Sequence, residues 1–518
     1  MALFTTNIFI DILLILVTIF VFIKFYFTWS FSYWNRKGVE TLPPSFPLGN
    51  ATELFLRKVP TSDIFINVYN KMKQKDLKYC GFYFLTQPNF VLVDPELIKV
   101  ILTKDFQYFT DRRIYANEET DPLSTNVLTL DGSKWKVRRS KISPAVTSGK
   151  MKMMFETLFN CTKELTAWMN QVAENQEVLD TKEILGRFTT DVIVSCGFGI
   201  ECNSLKNPNS DFRKYGKKIL GESPIDQLKN LIAMLVPKVF EIIKIPVMNT
   251  EATTFFMNIV KETIKYREEN NVTRKDFLDL LIQLKHNVRI KDDDNVGELK
   301  SNDSEQLLTV EQIAAEAYLF FAAGFETSST TLTFCFYELA SNPDVQEKLR
   351  NEIKKTLANY NGELSYDAVM EMSYMDKCIN ETLRKYPPFP TIGRICTKNY
   401  KVPDSNVVIE KGTAIVIPIS GIHYCPEYYP EPEKFDPERF SPENKSKRHH
   451  YTWLPFGEGP RNCIGMRFGL MQVKVGLAVL LKDYKFTVNS RTQTPLIMDP
   501  ASFISTAKGG IWLNVVKI

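Results

Sequence analysis

A mainly α-helical fold with small β-sheets, led by one apolar N-terminal helix, is the class that this 518-residue sequence predicts. Three observations predict it. Apolar residues recur at three-to-four spacing through most of the chain after residue 90. Strand-like runs are short and few. A single uncharged run, residues 12–23, lies near the start, and no second run of that kind follows. The composition, 44% hydrophobic and 24% charged, is that of a globular chain. With 64 Lys and Arg against 60 Asp and Glu the net charge is only +4, which argues against a chain whose main task is binding nucleic acid. Nine Cys with no Cys-x-x-Cys pair exclude a disulfide scaffold and a zinc site built from close pairs, and predict reduced thiols.

In chain order, the first element is the apolar stretch 8–27. The clean run alone is shorter than the roughly 20 residues that a membrane span needs. The longer stretch suffices if Asp11 and Lys24 sit near opposite interfaces. No basic segment precedes it and no small-residue cleavage site follows, so 1–27 is expected to be an uncleaved anchor. Trp29, Tyr33 and Trp34 follow as interface aromatics. Lys24, Arg36 and Lys37 flank its C-terminal side and predict a body in the cytosol. Residues 28–50, with Pro43, Pro44 and Pro47, read as a stiff hinge, and 51–518 as the body. Helices are predicted at 95–103, 150–174, 181–196, 253–269, 276–286, 310–340 and 344–358. Strands are predicted at 82–86, 90–93, 407–409, 414–418, 485–488 and 511–516. Residues 289–305, with two polar, acidic clusters, read as a solvated loop. The apolar segment 219–240 fits either a membrane-dipping entrance or a plain amphipathic helix.

The segment 456–465 carries the strongest chemical signal. Phe456, Gly457, Arg461, Cys463 and Gly465 stand in the frame Phe-x-x-Gly-x-Arg-x-Cys-x-Gly. Glycines permit tight turns and close backbone approach to a flat ligand. Backbone N–H groups, Arg461 and the start of a helix at 465–482 all favour an anionic sulfur. Upstream, Glu381 and Arg384 form a Glu-x-x-Arg pair on one helix face, an arrangement that is also an ordinary ion pair. Pro437 to Phe440 reads PERF and contains Arg439. Trp135 and Arg139 lie four apart. Ala323 to Ser328 reads AGFETS inside a run of about 30 helical residues, where Gly324 and the hydroxyl residues after it are poor helix material able to bend the helix.

Together, and in this order, these motifs resemble the cytochrome P450 superfamily, over essentially the whole chain. Finer features resemble membrane-anchored microsomal members from insects that process foreign compounds, and the vertebrate drug-metabolising clan related to them. The resemblance implies the P450 fold and a monooxygenase that inserts one oxygen atom from O2 into apolar small molecules. It implies haem b as cofactor, with Cys463 as the axial ligand of its iron. Phe456, Gly457 and Gly465 shape the haem loop, and Trp135, Arg139, Arg394, Arg461 and Arg112 contact the haem propionates. Glu381, Arg384 and Arg439 form a scaffold behind the loop. Thr327 and Glu326 steady and relay protons during oxygen activation. Phe320, Phe321, Ala323 and Phe503 fall in substrate-facing segments, as do 115–127 and 388–392. Electrons are expected from NADPH–cytochrome P450 reductase, with cytochrome b5 as a second donor, because no flavin module is seen in the about 50 residues after the loop. Lys134, Lys136, Arg138, Lys445, Lys447 and Arg448 are candidates for a basic docking face. The implied location is the endoplasmic reticulum membrane, spanned once. Two alternatives stay open here: a reductase-independent haem-thiolate isomerase or dehydratase, and a non-catalytic haem sensor.

Overall fold

The computed structural model describes residues 8–219, 237–286 and 307–518, with isolated positions 226, 229, 232 and 233. Its main helices are α1 (Ile8–Phe31), α2 (Thr61–Gln74), α3 (Gly132–Ile142), α4 (Ser148–Glu174), α5 (Thr181–Phe198), α6 (Asp211–Ile219), α7 (Thr250–Asn270), α8 (Phe277–Lys285), α9 (Val310–Ser341), α10 (Pro343–Asn359), α11 (Ser373–Lys385) and α12 (Met466–Asp483). The strands are β1 (Tyr79–Phe84), β2 (Gln87–Leu92), β3 (Leu179–Asp180), β4 (Ile392–Ile395), β5 (Tyr400–Lys401), β6 (Val408–Ile409), β7 (Ala414–Ile417), β8 (Tyr484–Val488) and β9 (Trp512–Lys517). The chain divides into two compact units.

The first unit comprises Met1–Thr110, Pro390–Tyr428 and His449–Trp453. Its helix α1 runs four residues beyond the expected boundary at 27. Its 24 residues span about 36 Å at 1.5 Å per residue, so it is long and apolar enough to cross a membrane. Thr18 and Thr28 return their hydroxyls to the carbonyls of Leu14 and Lys24, which satisfies them without solvent. The unit's sheet has the order β1-β2-β7-β4, with β2 and β7 parallel and the other pairs antiparallel. Helix α2 buries Ile64, Phe65, Val68, Tyr69 and Met72, a stripe at three-to-four spacing that the sequence reading did not pick out.

The proline segment is docked, not free. Trp34, expected at a membrane interface, is fully buried; a Cβ on Gly81 would stand 2.3 Å from its indole, so only glycine lets β1 pass beneath the ring. The Trp34 N–H donates to the Tyr83 hydroxyl at 3.0 Å, and the Tyr83 N–H donates to Asn50 Oδ1 at 2.9 Å. Glu410 receives Tyr33 Oη at 2.8 Å and Lys37 Nζ at 2.6 Å.

The second unit comprises Asp111–Phe389, Tyr429–Arg448 and Leu454–Ile518. Helix α9 is its axis, packed by α5, α7, α11 and α12. A capping box between Thr309 and Gln312 starts α9. Pro343, unable to continue it, opens α10 instead. Strands β3, β9 and β8 form a small antiparallel sheet. The expected helices from 150 onward are present with ends shifted by one to three residues, whereas 95–103 splits into a short helix and a π-turn. The loop 289–305 and most of 219–240 lie outside the described residues.

Candidate active site

Cys463 sits on a loop built by two left-handed glycines, Gly457 (φ 66°) and Gly459 (φ 75°), conformations that a side chain would strain. The Cys463 N–H donates to the Phe456 carbonyl at 2.8 Å, and the Asn462 N–H to that of Gly459 at 3.0 Å, which closes the loop. Gly465 is different. Its φ is an ordinary −87°, and nothing lies within 4 Å of where a Cβ would stand. The protein does not itself demand glycine there; a bare backbone suits close approach by a flat ligand. Helix α12 starts one residue later. It crosses α9 closely: the Phe468 and Phe320 rings are 5.0 Å apart, and a Cβ on Gly469 would lie 3.8 Å from Ser328 Oγ. Cys463 is the one exposed thiol among the nine. Ala323 is the one exposed residue of α9 between 313 and 340. Exposed positions in the middle of a core helix and at the root of a core loop mark a cleft.

Three guanidinium groups gather beside the thiol. Arg112 Nη2 donates to the Arg461 carbonyl at 2.9 Å. Arg139 grips Asn462 twice, at its carbonyl (3.0 Å) and its Oδ1 (2.9 Å). Arg461 lies over the Trp135 ring, 4.2 Å from its centroid, and donates to the Leu130 carbonyl at 2.6 Å. Burial and mutual repulsion hold Arg112 and Arg461 down to about 10. Although the Cys463 side chain reaches the surface, the protein packed around it desolvates the thiol and pushes it up, against the anionic sulfur expected from the loop alone; the Gly465 N–H and the Arg139 and Arg112 cations pull it back down. This donor set fits haem. The crowded cations suit a ligand bearing carboxylates, and a lone exposed sulfur suits an iron already held by a macrocycle. Among the described residues no group of three His, Cys, Asp or Glu side chains could hold a bare metal ion.

The AGFETS segment is part of an unbroken α9. Gly324 is required less by a bend than by packing: a Cβ there would stand 2.3 Å from Ile193 Cδ1 on α5. Gly324→Ala is therefore expected to cost about 1–3 kcal/mol in thermal or denaturant unfolding, with part of it recovered in a Gly324→Ala/Ile193→Val pair, which removes Cδ1 but leaves Cγ1 2.9 Å from the new Cβ. No recovery would mean that the glycine is needed for the backbone. Thr327 Oγ1 donates to the Ala323 carbonyl at 2.6 Å, which holds its proton toward the exposed Ala323. Glu326 is buried and paired with Lys182 Nζ at 2.8 Å; that ammonium also donates to Ser329 Oγ (3.0 Å) and Thr330 Oγ1 (2.6 Å). Burial lowers the Lys182 pKa.

Glu381 and Arg384 are fully buried and bonded twice, at 2.7 and 2.8 Å. Glu381 Oε1 also accepts the Asp436 N–H at 3.0 Å and lies 3.3 Å from Arg439 Nε. Arg384 reaches the Pro432 carbonyl at 2.7 Å, and Arg439 the Glu431 carbonyl at 2.9 Å. Spacing alone pairs Glu381 with Arg384; Arg439 is joined to them only by the family resemblance, and here the three are in contact.

Other expectations are redistributed. Phe321, expected to face substrate, is fully buried among Phe256, Phe325, Phe212 and Phe198. Two residues before Ala323 it points to the opposite side of the helix, so it belongs to the core. Phe320 stacks on Phe277 at 4.4 Å as well as meeting Phe468, and its ring is committed to packing. Phe503 is 79% exposed and meets Phe389 edge-on at 5.6 Å. Arg394 lies in the first unit on β4, donating to the Gly393 carbonyl at 2.7 Å. Lys134, Lys136, Lys445 and Lys447 are exposed and Arg448 is half-buried, but Arg138 is buried and paired with Glu316, so it is no docking residue. Sequence reasoning missed Lys182, Asn462 and Glu316. Only Asn462, adjacent to Cys463, carried a local signal.

The sequence profile described as cytochrome P450 matches residues 43–514. Curated relatives match nearly end to end. "Probable cytochrome P450 6a13" of Drosophila melanogaster is 42% identical over 94% of this chain and 95% of its own length. "Cytochrome P450 6a2" of the same fly is 41% identical over 94% and 96%, and "Cytochrome P450 6k1" of Blattella germanica 39% over 98% and 97%.

Proposed function

From the premise that this chain belongs to the cytochrome P450 family of haem-b-binding monooxygenases, we propose that it oxidises apolar small molecules, foreign compounds and endogenous lipophiles among them. In this reading electrons come from NADPH through cytochrome P450 reductase, with cytochrome b5 as a second donor. The observation that supports it most is the pairing of an exposed Cys463, on which the Arg112 and Arg139 cations act, with the exposed Ala323 of α9, one turn before Thr327 and the buried Glu326. Cys463 would hold the haem iron, while Arg112, Arg139, Arg461 and Trp135 would hold its propionates; Arg394 joins them by motif alone. When bound, haem supplies the oxygen chemistry, which a thiolate donor favours.

The chain's own residues position and deliver protons. Thr327 Oγ1 holds a proton toward Ala323 and can present its lone pairs to the cleft. Glu326 can carry a proton by swinging off Lys182, which keeps its two hydroxyl partners when it does so. Phe389 and Phe503 offer apolar surface to substrate. α1 is assigned to the endoplasmic reticulum membrane, with Lys24, Arg36 and Lys37 keeping the body cytosolic.

The test is substrate-dependent NADPH consumption with added reductase, and incorporation of one atom from isotopically labelled O2 into product. Consumption without labelled product, or peroxide rearrangement without reductase, overturns the reading. A Thr327→Ala protein is expected to bind substrate normally, yet to form product several-fold less often per NADPH and to release peroxide, within the ordinary range for a proton-transfer group. Unchanged coupling would remove Thr327 from the mechanism.

A further inference from the structure

We propose that Arg138 and Glu316 form a buried clamp that positions the segment 121–131 beside the substrate-facing side of α9 and thereby limits the size of apolar ligand the site accepts. The clamp rests on the proposed function for its ligand, and on geometry for its existence. Arg138 Nη1 meets Glu316 Oε1 at 2.9 Å, and both side chains are more than nine-tenths buried. The same carboxylate accepts the Val127 N–H, at 3.0 Å on one oxygen and 3.3 Å on the other. From the other side Arg461 of the cysteine loop donates to the Leu130 carbonyl at 2.6 Å and lies 3.4 Å from that of Val127. One short segment is thus held between α9 and the cysteine loop. The side chain of Leu128, the residue after Val127, is exposed. At about 100° per residue, Glu316, Ala323 and Thr327 fall within about 40° of one another around α9, so the clamp acts on the same side of the helix as the cleft.

The pair is not explained by stability. Burial raises Glu316 to about 7, against the pull of Arg138 and the Val127 N–H. Buried ion pairs of this kind are often replaceable by apolar residues of similar volume at no loss. An apolar pair cannot, however, accept the Val127 N–H, and a buried N–H without an acceptor is costly enough that the segment would move to find one. The acceptor, not the charge, is what fixes the segment.

Two double variants separate these roles. Both remove the ion pair, but R138M/E316Q keeps an acceptor for Val127 and R138M/E316L does not. Hydrogen exchange of peptides covering 121–131 is measured first. Loss of one hydrogen bond predicts about tenfold faster exchange in R138M/E316L, with wild-type protection in R138M/E316Q. Spectral titrations with imidazole, 4-phenylimidazole and clotrimazole follow. The preference between the largest and smallest ligand is expected to change by about fivefold or more in the leucine variant alone, the scale of one such bond. Equal protection and equal size preference in the two variants overturns the clamp, and so does loss of both in the glutamine variant. A wild-type protein with no thiolate-type reduced carbon monoxide band overturns the haem reading instead, and hydrogen exchange then still decides whether the clamp exists.

Discussion

Glu381→Ala is expected to leave almost no folded, haem-loaded protein. The side chain is fully buried and holds Arg384, Arg439 and the Asp436 amide at once. Removing one member of a buried charge network strands the rest, at about 3–5 kcal/mol, comparable to the lower end of a whole domain's stability. Arg384 cannot recover by moving to water, because it is also wedged against the Tyr429 ring and the Pro432 carbonyl. Unfolding midpoint and haem content per chain should fall together. A Glu381→Ala protein with a wild-type midpoint and reduced haem would show a direct role at the haem instead of a scaffold. Arg439→Ala, which loses one longer ion contact and the bond to the Glu431 carbonyl but leaves the Glu381–Arg384 pair intact, should be milder.

Cys463→Ala should do the reverse: abolish the red-shifted reduced carbon monoxide band and all monooxygenase turnover while the chain stays folded. The loop is closed by the Cys463 N–H and by glycine turns, and none of these needs the sulfur. The side chain is exposed, so its loss opens no core cavity, and the unfolding free energy without haem should change by no more than about 0.5 kcal/mol. Retention of the thiolate-type band in this variant would remove Cys463 as the ligand.

What could be read from the sequence was what lies within a few residues along the chain. The cysteine loop, the Glu381–Arg384 pair and the Trp135–Arg139 turn are each set by spacing on one loop or one helix. The small strands β3, β4 and β5 escaped notice because two to four residues give no periodicity. Lys182 and Glu326 are 144 residues apart, and Arg138 and Glu316 are 178 apart, so no local pattern pairs them. Arg138 read as one more cation in a basic run, and only the arrival of α9 beside it turned it inward. Phe320 and Phe321 failed for a related reason. A helix position gives a direction, but whether that direction meets a cleft or another helix depends on α5, α7 and α12.

The docking of Trp34 against Gly81 has a practical side. Soluble versions of an anchored enzyme are made by cutting away the anchor, and the linker after it is easily treated as disposable. Here the chain from Ser32 to Asn50 is structural: it supplies a fully buried indole, an edge contact to β1 and two partners for Glu410. A cut inside α1 removes the greasy helix and keeps the sheet covered. A cut at residue 51 would strip a tryptophan from the face of β1 and trade an aggregation problem in detergent for one in the folded body itself.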